Sequence, residues 1–197
     1  MATGNIMANK EQELVLTRVL YAPRELVFKA WTDPKHVAQW WGPHGFTNPV
    51  CELDVRPGGA IRIHMRGPDG TVYPMTGVYQ EIVEPVRLVF TSAALAADGN
   101  PMFEVLTTVA FAEQNGKTKQ TMRARVIKTT AQAAQYLAGM EAGWTQSLER
   151  LAKSLAKDLT AEQRKMPGCL HDGGCPNPDN ASQDRAERGL ETERRFA

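Results

Sequence analysis

Cys51-Glu-Leu-Asp-Val-Arg-Pro-Gly-Gly-Ala-Ile-Arg-Ile-His-Met-Arg66 decides the fold. Cys51, Leu53 and Val55 alternate with Glu52, Asp54 and Arg56. Ile61, Ile63 and Met65 alternate with Arg62, His64 and Arg66. A period of two sends successive side chains to opposite faces, so each run is a half-buried strand. Arg56-Pro57-Gly58-Gly59 between them is a turn, because proline fixes φ and glycine accepts the conformations that a tight reversal needs. Two alternating runs joined in this way form an antiparallel hairpin.

Toward the C-terminus the pattern repeats. Gly67-Pro68-Asp69-Gly70 predicts a tight turn, Asp-Gly being a strong hairpin signal. Residues 71–83 read as a third strand, with Tyr73, Met75 and Tyr79 on one parity and Val72, Val78 and Ile82 on the other, so either face could point inward. Glu84-Pro85 turns the chain, 86–93 is a strand, and Asp98-Gly99-Asn100-Pro101 is a loop. Phe103, Val105, Thr107, Val109 and Phe111 share one face of a strand over 102–112. Asn115-Gly116 is a hairpin turn, and Met122, Ala124 and Val126 mark a closing strand over 117–127.

On the N-terminal side, 14–22 is rich in β-formers and predicts a strand. Pro23 and Glu25 then suit the first turn of a short helix carrying Leu26, Val27, Ala30 and Trp31. Asp33-Pro34 supplies a cap and a first-turn proline for a second helix with Val37, Trp40 and Trp41, which Gly42-Pro43 ends. From Thr130 the period becomes helical. Leu137, Met140, Trp144, Leu148, Leu151 and Leu155 step by three or four, predicting one helix to about Ala156, ~25 residues against a usual ~11–12. The fold class is therefore α+β, with a domain over 13–156, a flexible leader over 1–12 and a polar tail over 157–197. The tail holds few large apolar side chains, too few to offset the entropy of ordering, so it is expected to be disordered or, over 181–196, loosely helical.

Composition narrows the partners. The formal net charge is +1 across 197 residues, with 42% hydrophobic and 23% charged. Such a balance points away from nucleic acid and acidic membranes, which call for a basic excess. No apolar run reaches the ~20 residues of a membrane helix, and the start of the chain has no signal-peptide core, so a cytoplasmic protein is expected. Cys51, Cys169 and Cys175 make no disulfide framework, and Cys51 reads as a small buried hydrophobe.

The order of elements is the helix-grip arrangement, a curved antiparallel sheet of six to seven strands wrapped around a long C-terminal helix with two short helices after strand 1. Pro23-x-Glu25-x-Val27-Phe28-x-Ala30-Trp31-Thr32-Asp33-Pro34, Trp40-Trp41-Gly42-Pro43, Leu53-Asp54-Val55-Arg56-Pro57-Gly58-Gly59, Pro68-Asp69-Gly70 and Gly77-Val78-Tyr79-Gln80-Glu81-Ile82 occur in order. This set resembles the START-like (SRPBCC) superfamily, in its bacterial branch named after the activator of the heat-shock-protein-90 ATPase. The resemblance spans roughly 13–156. It implies a cavity under the long helix for an apolar small molecule, linked to stress or detoxification. It also admits a cyclase- or hydrolase-type enzyme and a chaperone-associated interaction module. Much of the eukaryotic co-chaperone's chaperone contact lies in an additional N-terminal domain, which these residues do not include, so that reading rests on fold analogy. A homodimer through a sheet edge or the tail is a further expectation, and no cofactor is implied.

Candidate residues follow. Trp40 and Trp41 wall the cavity mouth beside Phe46 or simply anchor a helix end. Adjacent helical residues point ~100° apart, so at most one of the two faces the cavity fully. Tyr73, Met75, Tyr79 and Phe90 from the sheet, with Phe103, Met140 and Trp144, would line the cavity or form plain core. For acid–base work the candidates are His44 near the mouth and Glu141 beside the helix stripe, whereas His64 and Glu104 point outward by parity. No nucleophile–base–orienter set, phosphate-cradling glycine loop or helical His pair is present in the sequence. Cys169, His171 and Cys175 could ligate Zn²⁺, but their spacing fits no standard finger and a fourth ligand is wanting unless Asp172 or Asp179 supplies it.

Overall fold

Asp33 shows at once how locally the fold is written. Its carboxylate accepts from the main-chain N–H of Lys35 at 2.8 Å, with Pro34 in the first turn, so the helix begins where its cap and proline say it should. A computed structural model describes residues 13–96, 98–130 and 133–165. The leader, the 181–196 segment, and Cys169, His171 and Cys175 lie outside the described residues. The chain divides into two units after Gln163, and the fold is that of the first.

Strand β1 (Glu13–Leu20) is followed by helices α1 (Arg24–Thr32) and α2 (Pro34–Trp40). Six strands then run in a meander: β2 (Thr47–Leu53), β3 (Ala60–Arg66), β4 (Val72–Val83), β5 (Arg87–Leu95), β6 (Pro101–Gln114) and β7 (Lys117–Thr129). β1 pairs with β7, giving one antiparallel seven-stranded curved sheet in the order β1-β7-β6-β5-β4-β3-β2. No helix of the described residues is long and apolar enough to cross a membrane.

The two-faced strand 71–83 has a structural cause. The β4–β5 register slips between Tyr79 and Glu81, so one extra residue stands on β4. A bulge flips the parity of everything beyond it. Met75 and Tyr79 point into the core before the slip, and Ile82 packs against it afterwards. β4 also carries Gly77, where a Cβ would stand 2.2 Å from the Thr91 carbonyl oxygen. The two strands approach too closely there for any side chain.

The C-terminal helix differs from expectation at both ends. It is two helices, α3 (Ala134–Ala138) and α4 (Met140–Lys165), with Gly139 between them. Glycine is about 1 kcal/mol worse than alanine in a helix, and this one interrupts the apolar stripe at its start. At the far end α4 passes Ala156, because Leu159 continues the stripe of Leu148, Leu151 and Leu155 against the core and no breaker precedes Pro167.

Gly77→Ala should therefore cost about 3 kcal/mol, the range of a severe backbone conflict, and lower Tm by roughly 10 °C. Thr76→Ala on the exposed neighbouring position should leave thermal unfolding nearly unchanged.

Candidate functional site

The site starts from four tryptophans. Trp31 of α1 is buried, and its indole N–H donates to Gln120 Oε1 of β7 at 2.9 Å. Trp40 at the end of α2 lies 4.7 Å from Trp31 between ring centroids and donates to the Ala30 carbonyl at 2.9 Å. Trp41 stands edge-on to Trp144 of α4 at 5.1 Å, while Trp144 stacks on Trp31 at 6.3 Å. Each ring fixes the next, and the cluster joins α1, α2 and α4 over the concave face of the sheet.

Beside this cluster a cavity of about 380 Å³ opens between α3–α4 and strands β3 to β6. The segment after α2 gives it Trp41 and Phe46, and β4 gives Tyr73 and Met75. β6 adds Phe103, and α4 adds Met140 and Trp144. Phe46 and Tyr73 sit 5.8 Å apart at one side, Phe103 and Tyr136 6.3 Å apart at another. Trp40, Tyr79 and Phe90 are placed differently. All three are buried in the core alongside the cavity, with Phe90 packed on Trp31 and Trp41 and Tyr79 packed on Phe90. Burial, followed by the nearby Cys51, pushes the Tyr79 hydroxyl above its ordinary pKa.

The sequence reading missed part of the wall. Tyr136 lies four residues before Met140 and so shares its face, a signal that helical spacing offered. Ser147 lies on the same side of α4. Met65 continues the inward parity of Ile61 and Ile63. Met102 carries no such signal; it precedes a register slip between Glu104 and Val105 near the start of β6. Ser92 follows the inward parity of Leu88 and Phe90, although a serine gives no apolar cue.

His44 and Glu141 do not reach the cavity wall. His44 Nε2 meets Glu149 Oε2 at 2.9 Å, with both side chains nearly half exposed, and its main-chain N–H donates to Gln146 Oε1 at 3.0 Å. Glu141 is exposed on α4. Glu104 pairs with Lys128 at 2.7 Å. Among the described residues the wall holds no histidine, cysteine or charged side chain, and no group of three metal-ligating side chains occurs. Cys51 is half-buried, and burial, then Asp33 and Glu52, push its thiol up to about 11.

The rim is shaped by polar contacts. Arg150 of α4 donates to the carbonyls of Gln39, Gly42 and Pro43 at 2.8 Å each and of Trp41 at 3.2 Å. Asn48 of β2 donates to Ala38 and Trp41 carbonyls at 3.0 and 2.8 Å. These carbonyls belong to the last turn of α2 (Ala38 and Gln39), where a helix C-terminus leaves them unpaired, and to the cap and bend that follow it (Trp41, Gly42 and Pro43). The fork of one guanidinium spans four of them, and its charge suits the negative end of the helix. Burial pulls this guanidinium below its ordinary pKa. Gly42, at φ +89°, makes the bend, and a Cβ there would press on Met65 Sδ at 3.2 Å.

The family described as activator of Hsp90 ATPase homolog 1-like protein matches residues 21–156. The chain belongs to this family. Its Hsp90-activator-like domain, a START-like fold, also resembles solved structures. A protein from Chromobacterium violaceum is 31% identical, with 73% of this chain and 96% of that one covered at a TM-score of 0.61. A Rhizobium leguminosarum protein is 30% identical over 74% and 95%, at 0.63. The AHSA1 protein of Silicibacter pomeroyi is 25% identical over 75% and 99%, also at 0.63. No curated protein matches.

Two outcomes check this geometry. Arg150→Ala should destabilise the Hsp90-activator-like domain by about 2–3 kcal/mol in urea unfolding, since hydrogen bonds from a charged donor are the strong ones. Arg150→Lys should recover only a minor part, one ammonium being unable to fork over four carbonyls. Cys51, its thiol pushed up to about 11, should hold roughly a hundredfold less thiolate than an ordinary cysteine at pH 8. Peptide mapping after brief iodoacetamide treatment should find it alkylated in urea but spared in the native protein.

Proposed function

We propose that this protein is a binding protein for an apolar small molecule held in the cavity between α3–α4 and the sheet. The observation that carries the reading is the cavity itself. Its volume of about 380 Å³ falls in the ~300–1,000 Å³ range of ligand sites. Its wall combines six aromatic side chains with four methionines. Thioethers are flexible and polarizable, which suits a surface that adapts to an apolar guest.

Catalysis has less support. An acid–base mechanism needs a titratable group within hydrogen-bond reach of the substrate, and His44 and Glu141 both stand off the wall. The family's description is the sole support for a chaperone contact. A binding role in stress or detoxification is compatible with a wall of this chemistry, in a protein that holds a reactive or poorly soluble molecule away from water.

Gly143 offers a clean test. A Cβ built on it meets only Pro43 Cγ, at 3.8 Å, and the cavity lies beyond. Gly143→Phe should fill the space while keeping α4, because any ordinary residue is a better helix former than glycine. Nile red should bind the natural protein with a blue-shifted emission and the variant at least about tenfold more weakly, with thermal unfolding unimpaired. Native mass spectrometry of protein from its own host should show a retained small molecule. Equal dye binding by both proteins would remove the cavity from the mechanism.

A further inference from the structure

Ser92 stands out against everything around it. It lies on β5, the middle strand of the seven, with its side chain on the inner face between Phe90 and Ala94. It is 9% exposed, and its register partners are Gly77 on β4 and Val105 on β6, neither of which offers a polar side chain. Its hydroxyl has no hydrogen-bond partner among the described residues. Its side chain opens onto the cavity, so a guest that displaced water there without pairing the hydroxyl would cost about 1–3 kcal/mol. The inner face of a central strand has no route to bulk solvent except through the cavity, whose wall Ser92 forms. Thr107, diagonal to it on β6, has an unpaired hydroxyl too, but it is fully buried off the wall.

A second hydroxyl faces the same cavity with a different capacity. Ser147 of α4 is 4% exposed and already donates its proton to the Gly143 carbonyl at 2.8 Å. Only its lone pairs remain. Of these two buried hydroxyls, Ser92 therefore keeps its donor on the sheet side and Ser147 can only accept on the helix side, while Tyr73 and Tyr136 are the half-buried hydroxyl residues of the wall. Arg150, three residues past Ser147 on the same helix, spends its donors on four carbonyls.

We infer that Ser92 is the polar anchor of the cavity and selects an uncharged ligand, largely aromatic, that turns a carbonyl or hydroxyl oxygen toward the centre of the sheet. This rests on the binding reading above. A carboxylate would arrive there without a cation to meet it, and an ionised group buried unpaired is strongly disfavoured. A pure hydrocarbon would displace water from the serine and offer nothing in its place. A neutral oxygen satisfies it and keeps the aromatic contacts.

Three naphthalene probes of similar size separate the terms: 6-propionyl-2-(dimethylamino)naphthalene, a neutral ketone; 2-(dimethylamino)naphthalene, which lacks the oxygen; and 6-(dimethylamino)-2-naphthoate, an anion. Binding is read from probe emission with the natural protein, Ser92→Ala and Ser92→Thr. The ketone should bind about tenfold or more tightly than the carboxylate. Ser92→Ala should weaken the ketone about fivefold, one ordinary hydrogen bond, and change the oxygen-free amine by less than twofold. Ser92→Thr, which restores a hydroxyl, should recover the ketone. Binding of all three probes with no difference between ketone and amine on Ser92→Ala would overturn the anchor and leave the cavity reading standing. A carboxylate bound as tightly as the ketone would overturn the charge selection. If no probe binds the natural protein, the cavity reading falls and the anchor with it. Matching thermal unfolding of the variants excludes a folding defect.

Discussion

A tryptophan can be buried only if its one N–H finds an acceptor, and Trp31 meets that condition through Gln120 at 2.9 Å. Gln120 is fully buried on β7, so the bond forms in a low dielectric, where it is strong and where losing it would orphan both groups. Helix α1 is thereby fixed to a strand 89 residues away. Trp31 then offers its faces and edges to Trp40, Trp41, Phe90, Phe111 and Trp144, all within 6.4 Å between centroids. Aromatic pairs at such distances favour edge-on and offset arrangements, which set the angles between the elements that carry them. The positions of α2 and the start of α4 follow from one satisfied donor.

The cavity depends on how α4 is held. Its middle, Leu148, Leu151 and Leu155, is buried in the core, and Arg150 ties the same stretch to the bend after α2. Together with Trp144 on Trp31 and Trp41, those contacts hold the helix along one side. Met140 and Gly143 can then span open space instead of collapsing onto the sheet. The break at Gly139 lets α3 bring Tyr136 over the far side. A helix gripped evenly along its length would close the gap, as native cores ordinarily do.

Much of this was legible in the sequence because it is local. Period-two alternation with Pro-Gly and Asn-Gly turns marks each hairpin, and Asp33-Pro34 marks a helix start. The resemblance marks the order of the parts. Where the reading fell short, the missing information was nonlocal. The alternation left either face of the strand carrying Tyr79 open, and even a settled parity does not say which part of the concave face the tryptophans cover and which part stays open. The ~100° between Trp40 and Trp41 meant that only one could face the cavity, yet which one depends on where α1 docks. Arg150 and Asn48 look like ordinary surface residues until the chain folds, since Arg150 reaches carbonyls more than a hundred positions away. The extra residue on β4 between Tyr79 and Glu81 leaves only a trace, apolar residues on both parities, and that trace has two explanations.

The wall also constrains how selection can work. Met65, Met75, Met102 and Met140 are unbranched side chains with several rotatable bonds, and a surface built of them tolerates many outlines. Shape is then a weak filter. What such a wall cannot adjust is the position of a polar atom fixed by main chain, and a central strand is the most rigid place in this fold to put one. Relatives at 25–31% identity share the sheet and helices, but a fold hosts many functions and identity at this level does not carry a wall residue across. In the proposed binding role, selectivity therefore resides in the few polar groups of an otherwise adaptable cavity: the fold supplies the container, and the chemistry of its inner face decides what it would hold.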